Sequence, residues 1–336
     1  MRTVVTGGAG FIGRALVRTL LHQAGDAGEI YLVDSLARHG HQPDLDVLLE
    51  DRRVRLVRAD LTASSALDAV PPPVDRVYHL AAIVGVGPVL AAPATVLRAN
   101  TLTTLSVFDW FVRNGAKRSR LLFASSSEVY AGAALAGLPL PIPTDENVPA
   151  VIAEEGGARS SYALSKLWGE TYARCLSTSD GPQLASVRFH NVYGPGMGFD
   201  HVIPQVIARI AAREDPFRVI AAEETRSFCW VDDAAEATRL VMESSRLTPG
   251  MVVHIGNEHA EITIAALYEM LFDVCGWRPR VQIQAASAPG SVARRCPSVA
   301  RLRELTGYDP TTSLRDGLPQ TARWYLDHSS PRHATA

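Results

Sequence analysis

Short apolar runs alternate with longer amphipathic segments along the chain up to about residue 190. Such short runs predict buried strands, because a strand covered on both faces needs no alternation with polar residues. The candidate strands are RTVVT, EIYLVD, VRLVRAD, RVYHLA, RLLFAS and LASVRF. Apolar positions at the helical period predict helices over residues 11–23, 93–114 and 161–177. The pattern predicts βα units and an α/β fold with a mostly parallel, doubly wound sheet.

Beyond residue 190 the regular alternation fades. Amphipathic patterns there predict three more helices, over residues 199–213, 231–243 and 314–327. The apolar run MVVHIGN predicts a strand over 251–257 that can join the parallel sheet, and the rest predicts a smaller α/β region. The last residues, 327–336, are polar and contain proline, so we expect a disordered tail.

Three glycines separate the first predicted strand from the first helix, in TGGAGFIG. Gly7 permits a tight turn, Gly10 lets backbone N–H groups approach a pyrophosphate, and Gly13 allows close packing of helix on strand. The helix N-terminus then faces the negative phosphates. Phe11 and Ile12 belong to the same loop. The strand–loop–helix context predicts a dinucleotide-binding site.

The second predicted strand ends in Asp34, 21 residues after Gly13. A carboxylate at this point accepts hydrogen bonds from ribose hydroxyls and repels a 2′-phosphate. The sequence therefore predicts NAD as the cofactor, in preference to NADP.

The segment ARSSYALSK ends on one of only two lysines, while arginine supplies the other 31 of the 33 basic residues. Tyr162 and Lys166 are four residues apart on a predicted helix, so they share one face. We expect the ammonium and oxidised nicotinamide to lower the pKa of the phenol, so that it can act as a base. A compact ammonium can also reach the cofactor ribose, which explains a lysine at this position.

A further polar group is expected at the carboxyl end of a strand, where open α/β sheets bind ligands. In LLFASSSEVY the strand is followed by Ser125, Ser126, Ser127 and Glu128. Such residues are also plain turn formers, so the residue types alone leave a structural and a catalytic function open.

Together TGGAGFIG, HLAA at residues 79–82 and YALSK resemble the extended short-chain dehydrogenase/reductase family that modifies nucleotide sugars. The resemblance covers residue 1 to about 326. It implies an NAD-binding Rossmann domain, a smaller C-terminal domain for a nucleotide sugar, and catalysis in the cleft between them. We expect these domains at residues 1–188 with 226–257, and at 189–225 with 258–326.

The resemblance also implies cofactor contacts near the adenine and along the strand ends, at Asp60, Leu61, Leu80, Ala81, Ala82, Asn100 and Ser125. It places Ser126 at the Ser/Thr position that hydrogen-bonds the sugar hydroxyl and shares its proton with Tyr162. With Lys166, these residues form the predicted catalytic set. A non-catalytic NAD-binding module on the same fold is the alternative, and such modules tend to lose the tyrosine or the lysine.

Enzymes of this family begin by oxidising the sugar, usually at C4. The 4-ketone is then re-reduced (4-epimerase), loses water (4,6-dehydratase) or, from a uronic acid, loses CO₂ (decarboxylase). SSEVY resembles the Thr-Ser-Glu-Val-Tyr run of UDP-glucuronate decarboxylases, so Ser127 and Glu128 are predicted to be catalytic. Some dehydratases of the family carry an Asp-Glu pair where this chain has Ser127 and Glu128, whereas one dehydratase branch has Ser before Glu. The motif favours a decarboxylase, with an epimerase and a dehydratase as alternatives.

Four residues resemble the family's substrate contacts: Arg159, Asn191, Arg226 and Arg295. Arginine suits a diphosphate or a carboxylate because its planar fork makes bidentate charge-assisted bonds. The resemblance to UDP-glucuronate decarboxylases implies a UDP-linked sugar as the substrate. NVYGPGMG departs from the family's frequent YGPR, with Gly196 where the arginine would be. His190 is expected to pack near the nicotinamide rather than to act as an acid or base.

Composition excludes several classes of partner. The net charge of −2 is dispersed, so no nucleic-acid surface is expected. No apolar run reaches the roughly 18–20 residues of a membrane span, and a strand-like N-terminus predicts a cytoplasmic protein. Four scattered cysteines predict buried free thiols. His39 and His41 lack further ligands nearby in sequence, so no metal site is predicted.

Two segments have open interpretations. The proline-rich segment 131–157 predicts either a lid or binding loop, or disorder. The helices over 93–114 and 161–177 are apolar on more than one face, which fits either core packing or a second buried surface. The family resemblance implies that these helices form a four-helix bundle in a homodimer.

Overall fold

The computed structural model describes residues 1–22, 28–38, 43–152, 157–178, 180–284 and 292–328. Its strands are β1 (Arg2–Thr6), β2 (Glu29–Asp34), β3 (Val54–Arg58), β4 (Val74–His79), β5 (Gly115–Ser126), β6 (Gln183–Phe189), β7 (Val192–Tyr193), β8 (Phe217–Ile220), β9 (Thr225–Ser227), β10 (Cys229–Trp230), β11 (Val252–Ile255), β12 (Glu261–Thr263), β13 (Val281–Gln284) and β14 (Arg294–Arg295). Its helices are α1 (Phe11–His22), α2 (Pro43–Leu49), α3 (Val86–Ala91), α4 (Pro93–Asn114), α5 (Ala131–Leu135), α6 (Ala158–Leu176), α7 (Val202–Ala211), α8 (Val231–Glu243), α9 (Ile264–Cys275), α10 (Ala300–Thr306) and α11 (Leu314–His328).

Seven strands form one parallel sheet in the order β11-β6-β5-β4-β1-β2-β3. The chain winds outward in one direction from β1 through β3 and in the other from β4 onward. The order therefore reverses between β1 and β4, and open α/β sheets bind ligands at the carboxyl ends of the strands on either side of such a point. The predicted doubly wound Rossmann-type sheet is confirmed, including the late strand β11 beside β6.

Helices cover both faces of this sheet. Val4 and Val5 are both fully buried, but they point to opposite faces because successive strand residues alternate. Val5 belongs to a core that includes residues of α1 and α8, whereas Val4 belongs to a second core that includes residues of α4 and α6. Two apolar faces explain why the predicted strands are apolar at nearly every position.

The C-terminal half adds three smaller sheets, formed by β7 with β10, β8 with β13, and β12, β9 and β14. Helices α7, α9 and α11 pack together beside them. Most of these elements lie in the segments predicted to bind the substrate. The division into two domains remains a prediction.

Several boundaries differ from the sequence prediction. Helix α7 begins at Val202 rather than at 199, with Pro204 in its first turn, where a missing N–H costs no helical bond. Helices α2, α3 and α5 were not predicted because each is seven residues or shorter and shows little periodicity. Helix α11 extends to His328, so the first two residues of the predicted tail, 327 and 328, are helical. The rest of that tail, 329–336, lies outside the described residues.

The described part of the proline-rich segment, residues 131–152, is attached to neighbouring elements at defined points. Thr144 pairs with the segment before α10, where its N–H donates to the Cys296 carbonyl at 2.9 Å. The Glu146 carboxylate accepts the backbone N–H of His254 in β11 at 2.8 Å. These contacts join the segment to both the main sheet and the C-terminal region.

None of the described helices is long and apolar enough to cross a membrane. The four cysteines are all unpaired, but the predicted burial holds for Cys229 and Cys296 alone, since Cys275 is half-buried and Cys175 is exposed.

Helix α6 lies close to β5 because Gly169 is opposite the ring of Phe123. A Cβ atom at Gly169 would lie 2.5 Å from Cε1 of that ring, well inside contact distance. The glycine therefore sets the separation of helix and sheet at this point.

We predict that Gly169→Ala lowers the free energy of unfolding by about 1–3 kcal/mol, the usual cost of overpacking. On an open helix face, Gly→Ala would instead stabilise the protein by up to about 1 kcal/mol, because alanine favours a helix. The sign of the change in unfolding free energy therefore shows whether position 169 is in contact with the sheet. Chemical denaturation measures the effect. A combined Gly169→Ala and Phe123→Leu variant should recover part of the loss, and additive effects of the two changes would contradict the contact.

Candidate active site

The glycine loop after β1 lies directly against the end of β4. Gly7 has φ +68°, a left-handed conformation that suits glycine, and a Cβ atom there would lie 2.7 Å from the backbone nitrogen of Ala81. Its N–H donates to the Val33 carbonyl at 2.8 Å. The loop is therefore fixed between β2 and β4, at the point where the strand order reverses.

The same loop leads into α1 without space for larger side chains. A Cβ atom at Gly13 would lie 2.7 Å from Cα of Gly8, so only glycine lets the helix start so close to the turn. The Gly10 N–H donates to the Gly7 carbonyl at 3.0 Å. The first turn of α1 contains no acidic side chain, so the positive end of the helix dipole remains available to an anion.

Asp34 lies at the end of β2, beside this loop. Its carboxylate accepts the Ala9 N–H at 3.2 Å and the Leu36 N–H at 2.8 Å. Both bonds orient the carboxylate toward the cavity above the glycine loop, which Asp34 lines.

A cavity of about 900 Å³ runs along the carboxyl edge of the sheet. Every predicted cofactor residue lines it: Gly7, Gly10, Phe11, Ile12, Gly13, Asp34, Asp60, Leu61, Leu80, Ala81, Ala82, Asn100, Ser125, Tyr162 and Lys166. So do the other predicted catalytic and substrate residues whose side chains the structure describes, namely Ser126, Ser127, Glu128, Asn191, Arg226 and Arg295. The predicted residues therefore meet in one cavity of a size that small-molecule and cofactor sites commonly have.

The segment that follows β4 lines this cavity, and Asn100 of α4 holds it in place. Its Oδ1 accepts the Ile83 N–H at 2.7 Å, and its Nδ2 donates to the Ile83 carbonyl at 3.1 Å. Below this segment, the buried His79 ring bonds Thr6 of β1 at 2.7 Å and Thr104 of α4 at 3.3 Å. The HLAA segment is thus held to both neighbouring elements.

Tyr162 and Lys166 face the cavity from the first half of α6. The Lys166 Nζ lies 5.6 Å from the centre of the Tyr162 ring and 4.9 Å from the centre of the Phe123 ring. The Tyr162 phenol is hydrogen-bonded to Ser126, which ends β5. The three predicted catalytic residues therefore form one connected group.

Burial changes the proton affinity of this group. Burial lowers the pKa of Lys166 to about 7, with the Glu170 carboxylate opposing the shift. Burial also raises the pKa of Tyr162 above its ordinary value; the Ser126 hydrogen bond opposes this rise and the Glu128 charge adds to it. In the protein alone, the pKa of the Tyr162 phenol is therefore raised, and the predicted lowering, which also invokes the nicotinamide charge, stays a prediction. The reason for the rise is desolvation, which also leaves Lys166 only partly charged near neutral pH.

Beneath Ser125, a buried ion pair connects α6 to β6. Both oxygens of Glu170 accept from the Arg188 guanidinium, at 2.7 and 2.8 Å, and one also accepts the Ser125 hydroxyl at 2.5 Å. Arg188 donates as well to the Tyr130 hydroxyl, which bonds the His254 ring at 2.7 Å. This chain of bonds fixes the floor of the site.

The substrate-side residues come from several elements. Arg295 of β14 forms an ion pair with Glu128, which follows β5. Arg226 of β9 pairs with Glu224 at 2.6 Å, and the Asn191 side chain donates to the Ser227 carbonyl at 2.9 Å.

Arg159 falls in the first turn of α6, and its side chain lies outside the described residues. At Gly196, the position that departs from the family pattern, a Cβ atom would lie 2.7 Å from the guanidinium of Arg14. Arg14 is 4% exposed and donates to the Ala9 carbonyl at 2.6 Å. An arginine from α1 thus occupies the space beside Gly196, although it does not line the cavity.

Sequence reasoning missed the residues that hold the site together. Glu170 is four residues after Lys166 and eight after Tyr162, so the helical period alone could have placed it on the same face. Arg188 stands out as a charged residue inside an apolar strand. Arg38 and His201 also line the cavity, but no local pattern marks them.

Within the described ranges, no group of three or more His, Cys, Asp and Glu side chains is arranged to hold a metal ion. His39 and His41 lie outside those ranges.

A parallel sheet with a glycine loop at its switch point, an acidic residue after β2 and a Ser–Tyr–Lys group defines an NAD-dependent enzyme of the short-chain dehydrogenase/reductase type. A family model for the NAD dependent epimerase/dehydratase family matches residues 3–256. The chain therefore belongs to this family.

Individual relatives cover nearly the whole chain. A UDP-glucuronic acid decarboxylase of Arabidopsis thaliana is 31% identical over 95% of this chain and 87% of its own length. A dTDP-4-dehydro-6-deoxy-D-allose reductase of a Streptomyces species is 33% identical, over 97% of both chains. The solved dTDP-glucose 4,6-dehydratase of Streptomyces venezuelae, with NAD bound, is 27% identical with a TM-score of 0.83 over 97% of both chains. The chain is an NAD-dependent enzyme of the nucleotide-sugar-modifying group.

The residues present fit NAD. The glycine cradle excludes even a Cβ atom at Gly7, so the backbone is open to close approach by a pyrophosphate. Asp34 presents a carboxylate where an adenosine ribose would lie, and a 2′-phosphate would meet like charge there.

We predict that Lys166→Met stabilises the protein below pH 7. The unfolded chain, with an ordinary lysine pKa near 10.5, binds more protons than the folded chain between about pH 7 and 10.5. The free energy of unfolding of the wild type therefore rises through this window, and the advantage of the variant shrinks.

Thermal unfolding at pH 6 and pH 9 tests this, and each kcal/mol should move the midpoint by about 1–2 °C in a chain of 336 residues. Lys117→Met removes the other lysine, which is exposed, and should change neither midpoint. A Lys166→Met midpoint below that of the wild type at pH 6 would contradict the prediction.

Proposed function

We propose that the protein is a UDP-glucuronate decarboxylase that oxidises the sugar at C4 and releases C6 as CO₂. The observation that carries this proposal is the Glu128–Arg295 ion pair, beside the Ser126–Tyr162 group in the same cavity. The free thiols fit a reducing compartment such as the cytoplasm.

Arg295 is suited to a C6 carboxylate. Its side chain is 16% exposed, lines the cavity and keeps donors beyond the one used for Glu128, so a second carboxylate can be bound and oriented. Arg226 and Asn191 line the cavity and are the proposed contacts of the UDP diphosphate. Arg159 remains a proposed substrate contact from the family resemblance.

The remaining groups serve the oxidation at C4. When bound, NAD takes up a hydride from the sugar and later returns it. Tyr162 is positioned to remove the proton of the C4 hydroxyl, with Ser126 as its hydrogen-bond partner. Lys166, on the same helix face, is proposed to bind the cofactor ribose and to favour the phenolate. The C4 ketone then makes the C6 carboxylate a β-keto acid, which loses CO₂ readily.

The residues of the site fit dehydration and epimerisation less well than they fit decarboxylation. A 4,6-dehydratase needs a base at C5 and an acid that protonates the leaving hydroxyl. Position 127 is a serine, and a carboxylate paired with arginine, as Glu128 is, is a poor proton donor. A 4-epimerase needs no further acid or base, so it leaves the Glu128–Arg295 pair without a function.

A second candidate is the reduction of a dTDP-4-keto sugar. It is favoured by the relative named as such a reductase, which is 33% identical over 97% of both chains. The Ser126–Tyr162–Lys166 group would serve this reaction equally well. Consumption of one reduced cofactor per sugar would distinguish it, because decarboxylation consumes none.

The first test is turnover of UDP-glucuronate, UDP-glucose and dTDP-glucose with NAD⁺, and of a dTDP-4-keto-6-deoxyhexose with reduced cofactor, read by mass spectrometry. We expect CO₂ and a UDP-pentose from UDP-glucuronate alone. Arg295→Gln should lower kcat about 10²–10³-fold, as loss of a key electrostatic contact does. Arg294→Gln, which removes the adjacent and 55% exposed arginine, should retain most activity.

Other results would assign a different reaction. An isomer of unchanged mass would indicate an epimerase, loss of water a dehydratase, and use of the keto sugar a reductase. If no sugar turns over and Tyr162→Phe binds every nucleotide as the wild type does, a non-catalytic binding module would replace the proposal.

We also propose a homodimer formed through α4 and α6. Apolar side chains on their outer faces are exposed in the single chain, with Leu164 and Val112 each 41% exposed. Leu105, Leu167 and Trp168 are only partly buried. Pairing these faces with their copies would bury them in a four-helix bundle.

We predict that Leu164→Glu shifts the protein toward the monomer, because a buried charge without a partner opposes association. Leu326→Glu is a matched control, since Leu326 is 43% exposed on α11, far from these helices in the chain. Sedimentation velocity at several concentrations measures the shift. Equal effects of the two variants, or a monomeric wild type, would contradict this interface.

A further inference from the structure

A second, small cavity lies beside the catalytic one. Its volume is about 20 Å³, and its lining includes Ser127, Tyr130, His190 and Arg295. Ser127 and Arg295 line the large cavity too, so the two spaces adjoin beside Arg295, the residue proposed to bind the C6 carboxylate. The small cavity is therefore close to the bond that the proposed reaction breaks.

His190 presents an unexplained polar atom at this place. The residue is 3% exposed, and its Nε2 has no hydrogen-bond partner among the described residues. Burial, with the charges of nearby basic groups, lowers the pKa of His190 well below its ordinary value. The ring is thus neutral at physiological pH, and its buried nitrogen needs a partner.

A single water molecule satisfies these conditions. About 10–15 Å³ of such volume accommodates one water, and a buried water needs two to four polar partners. His190, Ser127 and Arg295 line this cavity and carry polar groups that can act as such partners. The sequence prediction that His190 packs near the nicotinamide is not tested. His190 lines the small cavity, while its neighbours Phe189 and Asn191 line the large one.

The neighbours of His190 hold its ring in place. The His254 ring lies 4.4 Å away, centre to centre, in an edge contact. His254 is itself held by the Tyr130 hydroxyl at 2.7 Å and the Ser298 carbonyl at 3.2 Å. A ring so constrained directs a bound water to one position.

We propose that His190 is a positioning residue that holds an ordered water in this cavity, and that this water protonates C5 after CO₂ leaves. The inference rests on the proposed decarboxylase function. Breaking the C5–C6 bond releases CO₂ and leaves the electron pair in an enolate over C5, C4 and the C4 oxygen. A proton from the water forms the new C5–H bond, which restores the C4 ketone. The hydroxide left behind takes a proton from solvent, so the step consumes one proton overall.

The test compares His190→Phe, which keeps a planar ring without polar atoms, with His190→Gln, which keeps groups that can bind water. Reaction in D₂O followed by NMR of the UDP-pentose shows which of the two C5 hydrogens came from solvent. We expect the wild type to label one C5 position. His190→Phe should label both and lose about 10²-fold in kcat, the low end of the range for acid–base assistance. His190→Gln should restore most of the selectivity.

A crystal structure tests for the bound water without requiring the enzyme to turn over substrate. The wild type should show a water within hydrogen-bonding distance of His190 Nε2, and His190→Phe should not. Thermal unfolding and NAD titration check that the Phe variant is folded.

Selective labelling of one C5 position by a folded His190→Phe variant would overturn the proposal that the His190-bound water protonates C5. A small cavity without water in the wild type would overturn the proposed water site. If the wild type releases no CO₂ from UDP-glucuronate, the proposed function fails and the proton role falls with it. The crystallographic result then still decides whether His190 holds a water.

Discussion

The buried ion pair between Glu170 and Arg188 is the interaction on which the arrangement of the site depends. It joins α6, which carries Tyr162 and Lys166, to β6 of the central sheet. The same carboxylate holds Ser125 at the end of β5. Removing either partner would leave a charge that is 5–6% exposed without compensation, and such changes typically cost about 3–5 kcal/mol. The pair thus fixes the position of the catalytic helix relative to the strand that supplies Ser126.

Much of the fold follows from the alternation of short apolar and longer amphipathic segments. The strands of the main sheet were predicted because both faces are covered, which makes them apolar throughout. The glycine loop and Asp34 were predictable for a different reason, since their chemistry depends on residues close together in sequence. Short helices such as α2 and α3 were not predictable, because one or two turns carry too little periodicity.

Contacts between distant segments could not be predicted from the sequence. The Glu128–Arg295 pair joins residues 167 positions apart, and no local pattern specifies it. The direction in which the pKa of Tyr162 shifts could not be predicted from the sequence either. The sequence shows a lysine four residues away, but the effect of burial, which is larger, requires the folded environment. Both examples concern electrostatics, which depends on depth and distance rather than on residue type.

The two halves of the proposed chemistry are carried by separate parts of the chain. The groups beside the glycine loop, together with Tyr162 and Lys166, belong to the large sheet and its helices, whereas Arg295 belongs to the three-stranded sheet of β12, β9 and β14. A substitution in β14 can therefore alter what becomes of an oxidised sugar and leave the oxidation itself intact. Descendants of such a protein could acquire new products by changing one short strand.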